Sequence, residues 1–339
     1  MPSERRYRAW LIALMLLTGL LLLGSLGIGR YPLTPSQIVG LLSAGGEPHP
    51  IAQQIVWSVR LPRLVMALLA GGALGLCGAT LQGVFHNPLV DPHIIGVTSG
   101  SAFGGALAIL LGITPLAMMA STFGFGLLAL MLIYGIAALQ GRENTLVLIL
   151  SGIILSGFFA ALVSLIQYLA DSDEILPNII FWLLGSFATA NWHKVMLLAL
   201  PVCAAALVLF KLRWRVNLLA LEEKDALALG VAVVPLRRVI LTCCALLVAA
   251  QVAVSGSIAW VGLVIPHLAR LLVGPDHRHL LPCAFWLGGG FMIVVDDLAR
   301  TLTSAELPIG ILTALLGAPL FTLLLIRNSR TRSHTCHHP

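Results

Sequence analysis

Nine predominantly apolar stretches of this chain, sixteen to fifty residues long, contain no Asp, Glu, Lys or Arg, and that feature limits what it can fold into. They are Ala9–Gly29, Leu64–Val90, Pro92–Gly141, Asn144–Ala170, Ile175–His193, Val195–Phe210, Val239–Ala269, His279–Val295 and Leu307–Ile326. A bilayer core takes roughly 20 apolar residues of α-helix. A helix also satisfies its own backbone hydrogen bonds, which a lipid solvent demands. The chain therefore reads as an all-α polytopic membrane protein.

Two of the stretches are too long for one helix. Thr114-Pro115, just after Gly112, divides Pro92–Gly141, because the residue before proline avoids the helical region. Ser255-Gly256-Ser257 interrupts Val239–Ala269. Ile175–His193 follows Asp171, Asp173 and Glu174 and contains Pro177 and Gly185, so it reads as an irregular outer segment that re-enters the membrane at most partly. About ten helices result, near 10–29, 64–85, 93–112, 116–139, 145–169, 194–211, 238–254, 259–271, 280–296 and 307–326. Residues 1–339 form a single domain, with a disordered tail expected at 328–339.

Charged residues make up 10% of the chain and hydrophobic ones 58%, against about 25% and 45–50% for soluble domains. Soluble globular, disordered and disulfide-scaffold classes are excluded. Arg5, Arg6 and Arg8 precede an apolar run from Trp10 to Ile28 that is too long for a signal peptide and lacks a small-residue cleavage site, so a retained first helix is expected. The net charge of +6 fits membrane topology better than a nucleic-acid partner, and no nucleic-acid motif is present. With both termini inside, only Arg30, Arg60, Arg63, Lys194 and Arg300 of the 20 Lys and Arg residues fall outside, which predicts cytoplasmic termini. The six cysteines have no C-x-x-C spacing and read as small packing residues. Many of the 33 glycines lie within helices, where they permit close packing or act as hinges.

No energy source is visible. A P-loop needs Gly-Lys followed by Ser or Thr, and none of Lys194, Lys211 and Lys224 follows a glycine. An ion-coupled transporter needs carboxylates within the membrane, but Asp296 and Asp297 read as a helix end facing out. Any transport would draw its energy from a partner. The segment 211–238 is the largest inner loop, and Leu221–Gly230 reads as a short amphipathic helix ended by glycine. It is either a solvated loop helix or a docking surface for a cytosolic subunit. His86, His93, His267 and the His-rich tail make no convincing metal or haem set, and no catalytic constellation is present. No cofactor is expected.

A series of motifs then resembles one family. It includes Arg60-Leu61-Pro62-Arg63, Gly71-Gly72-Ala73-Leu74, Gln82, Asn87-Pro88-Leu89 and Pro92. Trp182-Leu183-Leu184-Gly185-Ser186, Ala226 to Gly230, and Ser255 through Arg270 with its Pro266-His267 pair continue it. Gly274-Pro275-Asp276-His277-Arg278, Glu306-Leu307-Pro308-Ile309-Gly310 and Gly317-Ala318-Pro319-Leu320-Phe321 complete it. In this order they resemble the FecCD-type permeases, the membrane subunits of type II ABC importers. Trp260 stands where the family usually has phenylalanine.

The resemblance implies a ten-helix permease in the bacterial inner membrane, catalysing no chemistry itself and paired with a second copy or a similar permease. Two cytosolic ABC ATPase subunits and a periplasmic binding protein are implied as partners. Arg60, Arg63 and Arg300 match outer arginines that meet acidic residues of a binding protein, though Arg60 and Arg63 also read as a snorkelling pair. Asn87, Leu89 and Thr145 match inner gate positions, while Asn87 also suits a local loop bond. Glu222, Glu223, Ala226, Leu229 and Gly230 match the ATPase-coupling loop. The implied ligand is an iron(III)-siderophore, with haem and cobalamin as alternatives and a molybdate-type oxyanion further off. An ion-coupled secondary transporter is the rival from another class.

Overall fold

The computed structural model describes residues 4–29, 31, 33, 34, 37, 40, 50–141, 145–221 and 223–335, with backbone alone at 325 and 327–335. Its described residues form helices and no strand. In chain order the helices are α1 (Glu4–Gly27), α2 (Pro50–Val84), α3 (Val97–Leu110), α4 (Pro115–Leu139), α5 (Thr145–Leu169) and α6 (Ile175–Leu183). They continue with α7 (Trp192–Leu219), α8 (Glu223–Ala228), α9 (Val233–Ser255), α10 (Val261–Val273), α11 (His277–Thr301) and α12 (Ile309–Thr335). Seven are long and apolar enough to cross a membrane, and α3, α10 and the part of α12 up to Leu324 are shorter apolar helices. Together they account for the ten expected.

α2 is the central helix. Its most apolar window is 83% buried, against 22–33% for α1, α4, α5 and α7. It packs on α11, α10, α7 and α9. Small residues permit this. A Cβ on Gly71 would strike the Gly288 carbonyl of α11, one on Gly75 the Ala284 carbonyl, and one on Gly78 the Gly262 carbonyl of α10. Lipid gives helices no hydrophobic reason to associate, so close backbone approach supplies the packing contacts instead.

Proline sets the main irregularities. Pro62 has no N–H to offer the Ser58 carbonyl, and residues Ile55–Arg60 wind as a π-turn in which Leu61 N–H reaches Val56 O. Pro92–Ile95 forms a separate 3-10 turn capped by Asp91, whose side chain accepts from His93 N, and Gly96 at φ +69° separates it from α3. The expected 93–112 helix is therefore shorter, at 97–110.

The structure departs from the sequence reading in further places, and α2 begins at Pro50 rather than near 64, so that Arg60 and Arg63 lie within it. Residues 175–183 are a regular helix rather than an irregular segment. α7 runs to Leu219 and α9 starts at Val233, so most of the expected 211–238 loop is helical and 220–232 connects them. Charged residues such as Arg213 and Arg215 do not end a helix; they end only its lipid-compatible part. α11 continues to Thr301, so Asp296 lies inside a helix and is fully buried rather than facing out at its end. α12 extends through Thr335, past the expected 326, and 336–339 lie outside the described residues.

Candidate functional site

The C-terminal ends of α2 and α10 and the start of α11 meet near the segments 85–91 and 220–232. α2 stops at Val84, and His86 takes a φ of +52°, which reverses the chain. Asn87 Oδ1 then accepts from Leu89 N at 2.9 Å, and Val90 N donates to Asn87 O at 3.2 Å. Asn87 thus spends its side chain on a local turn that presents Leu89, 53% exposed. His86 Nε2 lies 2.8 Å from Leu221 O, tying this turn to the segment between α7 and α9. Thr145 is the first residue of α5, half-buried and on a separate element.

The 220–232 segment carries the expected coupling residues, except that Glu222 lies outside the described residues. Ala226 is buried while Leu227 and Leu229 point out. Glu223 pairs with Arg237 at 3.1 Å, anchoring α8 to α9. Gly230 N donates to Leu227 O at 2.9 Å and Val231 N to Ala226 O at 3.1 Å. Gly230 holds φ +78°, a left-handed helix end that glycine takes without strain.

Sequence reasoning missed the polar groups that hold this region. Gln82, quoted only as part of a motif, donates to Val90 O at 3.2 Å and accepts from Arg270. Asn217 donates to Asp276 Oδ1 at 2.7 Å and accepts from His277 N at 2.8 Å. Asp276 caps α11 and binds Arg278 at 2.7 Å. Burial alone would raise the Asp276 carboxyl, but hydrogen bonds from Arg278 and Asn217 outweigh it and hold the group well below the usual carboxylate range. The available signal was Gly-Pro-Asp before a helix, an N-cap pattern.

At the other end of the helices, Arg60, Arg63 and Arg300 do come together, but they are turned inward. Each is 5–9% exposed. Arg63 binds Asp296 at 2.9 Å and Glu306 at 2.9 Å. Arg300 reaches Asp296 at 3.2 Å and also pairs with Asp297, which accepts from Ser25. Arg60 donates to the carbonyls of Leu26 and Tyr31. Arg63 and Arg300 thus engage three carboxylates while Arg60 binds backbone carbonyls, and a cleft of about 200 Å3 bordered by Tyr31, Val59, Arg60 and Glu306 opens beside them. Buried charge pairs of this kind persist only when hydrogen bonds complete them.

Near this end three chain breaks converge. Ser186 N donates to Ser255 O at 2.8 Å, Ile309 N to Gly185 O at 2.9 Å and Gly310 N to Leu184 O at 2.9 Å. The ends of α6 and α9 and the start of α12 therefore close on one another through backbone bonds, which satisfies groups that lipid could not. Among the described residues no cluster of three or more His, Cys, Asp or Glu side chains is arranged for a metal ion.

The model of the FecCD transport family matches residues 14–327. The molybdate import system permease protein MolB of Haemophilus influenzae is 52% identical over 329 residues, covering 96% of this chain and 97% of that protein. The vitamin B12 import system permease BtuC of Klebsiella pneumoniae is 37% identical, with 96% of each chain covered. The hemin transport system permease HmuU of Yersinia pestis is 36% identical over 94% of this chain and 96% of its own. A solved inward-facing structure described as a metal-chelate type ABC transporter superposes with TM-score 0.86 at 50% identity, covering 94% of this chain and 98% of that one. A multi-pass helical chain without a nucleotide-binding loop, carrying the ordered motifs of these relatives nearly end to end, belongs to the FecCD transport family and is the membrane permease subunit of an ABC importer.

Proposed function

We propose that this permease imports a molybdate-type oxyanion, energised by two cytosolic ATPase subunits and supplied by a periplasmic binding protein. The carrying observation is the 52% identity to a molybdate permease along 96% of this chain. The iron(III)-siderophore implied by the family resemblance becomes the second reading. It draws on the similarity to a metal-chelate type transporter and to an iron chelatin permease of Helicobacter pylori, 38% identical over 80% of this chain.

In this reading the termini are cytoplasmic, as the distribution of Lys and Arg supports. The chain works as a dimer with a second permease, with a pathway between the two. Arg60, Arg63 and Arg300 mark the face that meets the binding protein, Asn87, Leu89 and Thr145 the inner gate, and Glu222, Glu223, Ala226, Leu229 and Gly230 the ATPase-docking loop. Ligands and partners bias the gate by binding its two states unequally. ATP chemistry belongs to the partner subunit.

The exposed pair Leu227 and Leu229 gives the docking loop its test. Leu227→Asp with Leu229→Asp puts two charges on the face offered to the ATPase and leaves the buried Ala226 and the Glu223–Arg237 pair in place. ATPase binding should weaken by about 30-fold, the loss of an apolar contact worth roughly 2 kcal/mol. Measured by co-purification and titration, wild-type affinity in this variant would remove the loop from the docking site. Uptake assays of the assembled transporter with molybdate and with a ferric siderophore, each with its binding protein, decide between the two substrates.

A further inference from the structure

Pro266 lies inside α10 and has no N–H. In an α-helix that donor would satisfy the carbonyl of Gly262, four residues earlier. The carbonyl is buried at a helix contact and needs another donor. Gln82 Nε2 lies 3.5 Å from it and also donates to Val90 O at 3.2 Å. The Gln82 side-chain oxygen accepts from Arg270, near the other end of α10. Its backbone oxygen accepts from Asn87 N at 3.2 Å. Gln82 is buried, so water does not compete for these bonds.

The Gln82 side-chain amide therefore touches α10 at its start and near its finish and holds the Val90 side of the turn that presents Leu89, while the Gln82 backbone carbonyl holds the Asn87 side. The contact is reinforced by packing: Gly262 abuts Gly78 of α2 and the ring of Pro92.

We infer that Gln82 is the positioning residue that makes α10 and the 86–90 turn move as one body, so that a shift of α10 carries Leu89 with it. This rests on the proposed reading of the turn as the inner gate. Pro266 has a role in it beyond bending the helix: it frees the carbonyl that Gln82 grips.

The test uses the assembled transporter in nanodiscs, with spin labels at Leu89→Cys and Leu271→Cys in a chain carrying Cys203→Ser and Cys336→Ser. The 89–271 distance should be the same in the nucleotide-free and ATP-bound states. In Gln82→Leu it should differ between those states. If Gln82→Leu does not fold, Gln82→Glu serves instead: it keeps an acceptor for Arg270 and loses both donated bonds. The Gln82→Leu thermal midpoint should also fall less in a Pro266→Ala background, where residue 266 regains its N–H and the Gly262 carbonyl has a helical partner. A state-dependent distance with Gln82 intact, or an unchanged one without it, overturns the clamp, as does full additivity with Pro266→Ala. The gate reading is checked separately by molybdate leak through Leu89→Ala in the absence of ATP. No leak there, with the distances as expected, overturns the gate and leaves the clamp standing.

Discussion

Arg63→Met is expected to destabilise the folded permease by about 3–5 kcal/mol, the cost of removing one partner from a buried ion pair. Arg63 holds two carboxylates at once, Asp296 on α11 and Glu306 beyond it, at 2.9 Å each. Asp296 is fully buried and shares its other bond with Arg300 at 3.2 Å. Methionine fills the volume of the arginine stem but leaves Asp296 with one cation instead of two. The desolvation of that carboxylate stays, and half of what offset it is gone. The exposed Arg8–Glu4 pair, 3.3 Å apart at the N-terminus, supplies the control, since ion pairs in water add little. Denaturation in detergent, followed by tryptophan fluorescence, reads both variants. Equal stability of Arg63→Met and wild type would show that the cluster is not an internal ion network.

The same geometry bears on the proposed docking of a binding protein. Reversing Arg60 and Arg300 to glutamate looks, from sequence, like a surface experiment. In the structure it would set new carboxylates beside Asp296 and Asp297 and damage the helix ends first. Substitutions at the exposed Thr301 and Thr303, which border the neighbouring cleft with Arg300, disturb this face with less risk to the fold.

The second large effect is expected at Gly78. A Cβ there would overlap the backbone carbonyl of Gly262 and come within 2.6 Å of its carbon, and backbone cannot swing aside as a side chain can. α2 and α10 would have to separate, at about 3 kcal/mol, the upper part of the usual range for overpacking. Gly124→Ala in α4 should act oppositely. Nothing lies within 4 Å of its added methyl, so the gain in helix propensity, about 0.5–1 kcal/mol, should appear as stabilisation. Thermal midpoints of the two variants should therefore move in opposite directions. Tolerance of Gly78→Ala without loss would mean that α2 and α10 are not packed backbone to backbone.

Much of this fold was legible because lipid leaves so little choice. Charge-free runs marked the seven long and three shorter apolar helices, and Thr114-Pro115 and Ser255-Gly256-Ser257 marked two real breaks. Helix ends were less legible. Lys211 and the basic residues after it suggested a loop, but α7 continues unbroken to Leu219. Asp296 suggested a helix end because a lone carboxylate inside a membrane helix is costly. Arg63 lies 233 positions away in the chain, so its neutralising contact could not be seen locally. Arg60, Arg63 and Arg300 read as outward-facing from the sequence, whereas their inward engagement depends on those same distant partners. Gln82 was visible only as a motif letter. Its role follows from a missing N–H at Pro266, which becomes informative once α2 and α10 are known to touch.

On the proposed reading, this chain moves solute only when a partner hydrolyses ATP. The direct measurement is uptake into proteoliposomes holding the permease with or without its ATPase, with binding protein and molybdate outside and ATP within. Accumulation that requires both the ATPase and ATP is the predicted result. Accumulation by the permease alone, driven by an ion gradient and indifferent to ATP, would contradict it.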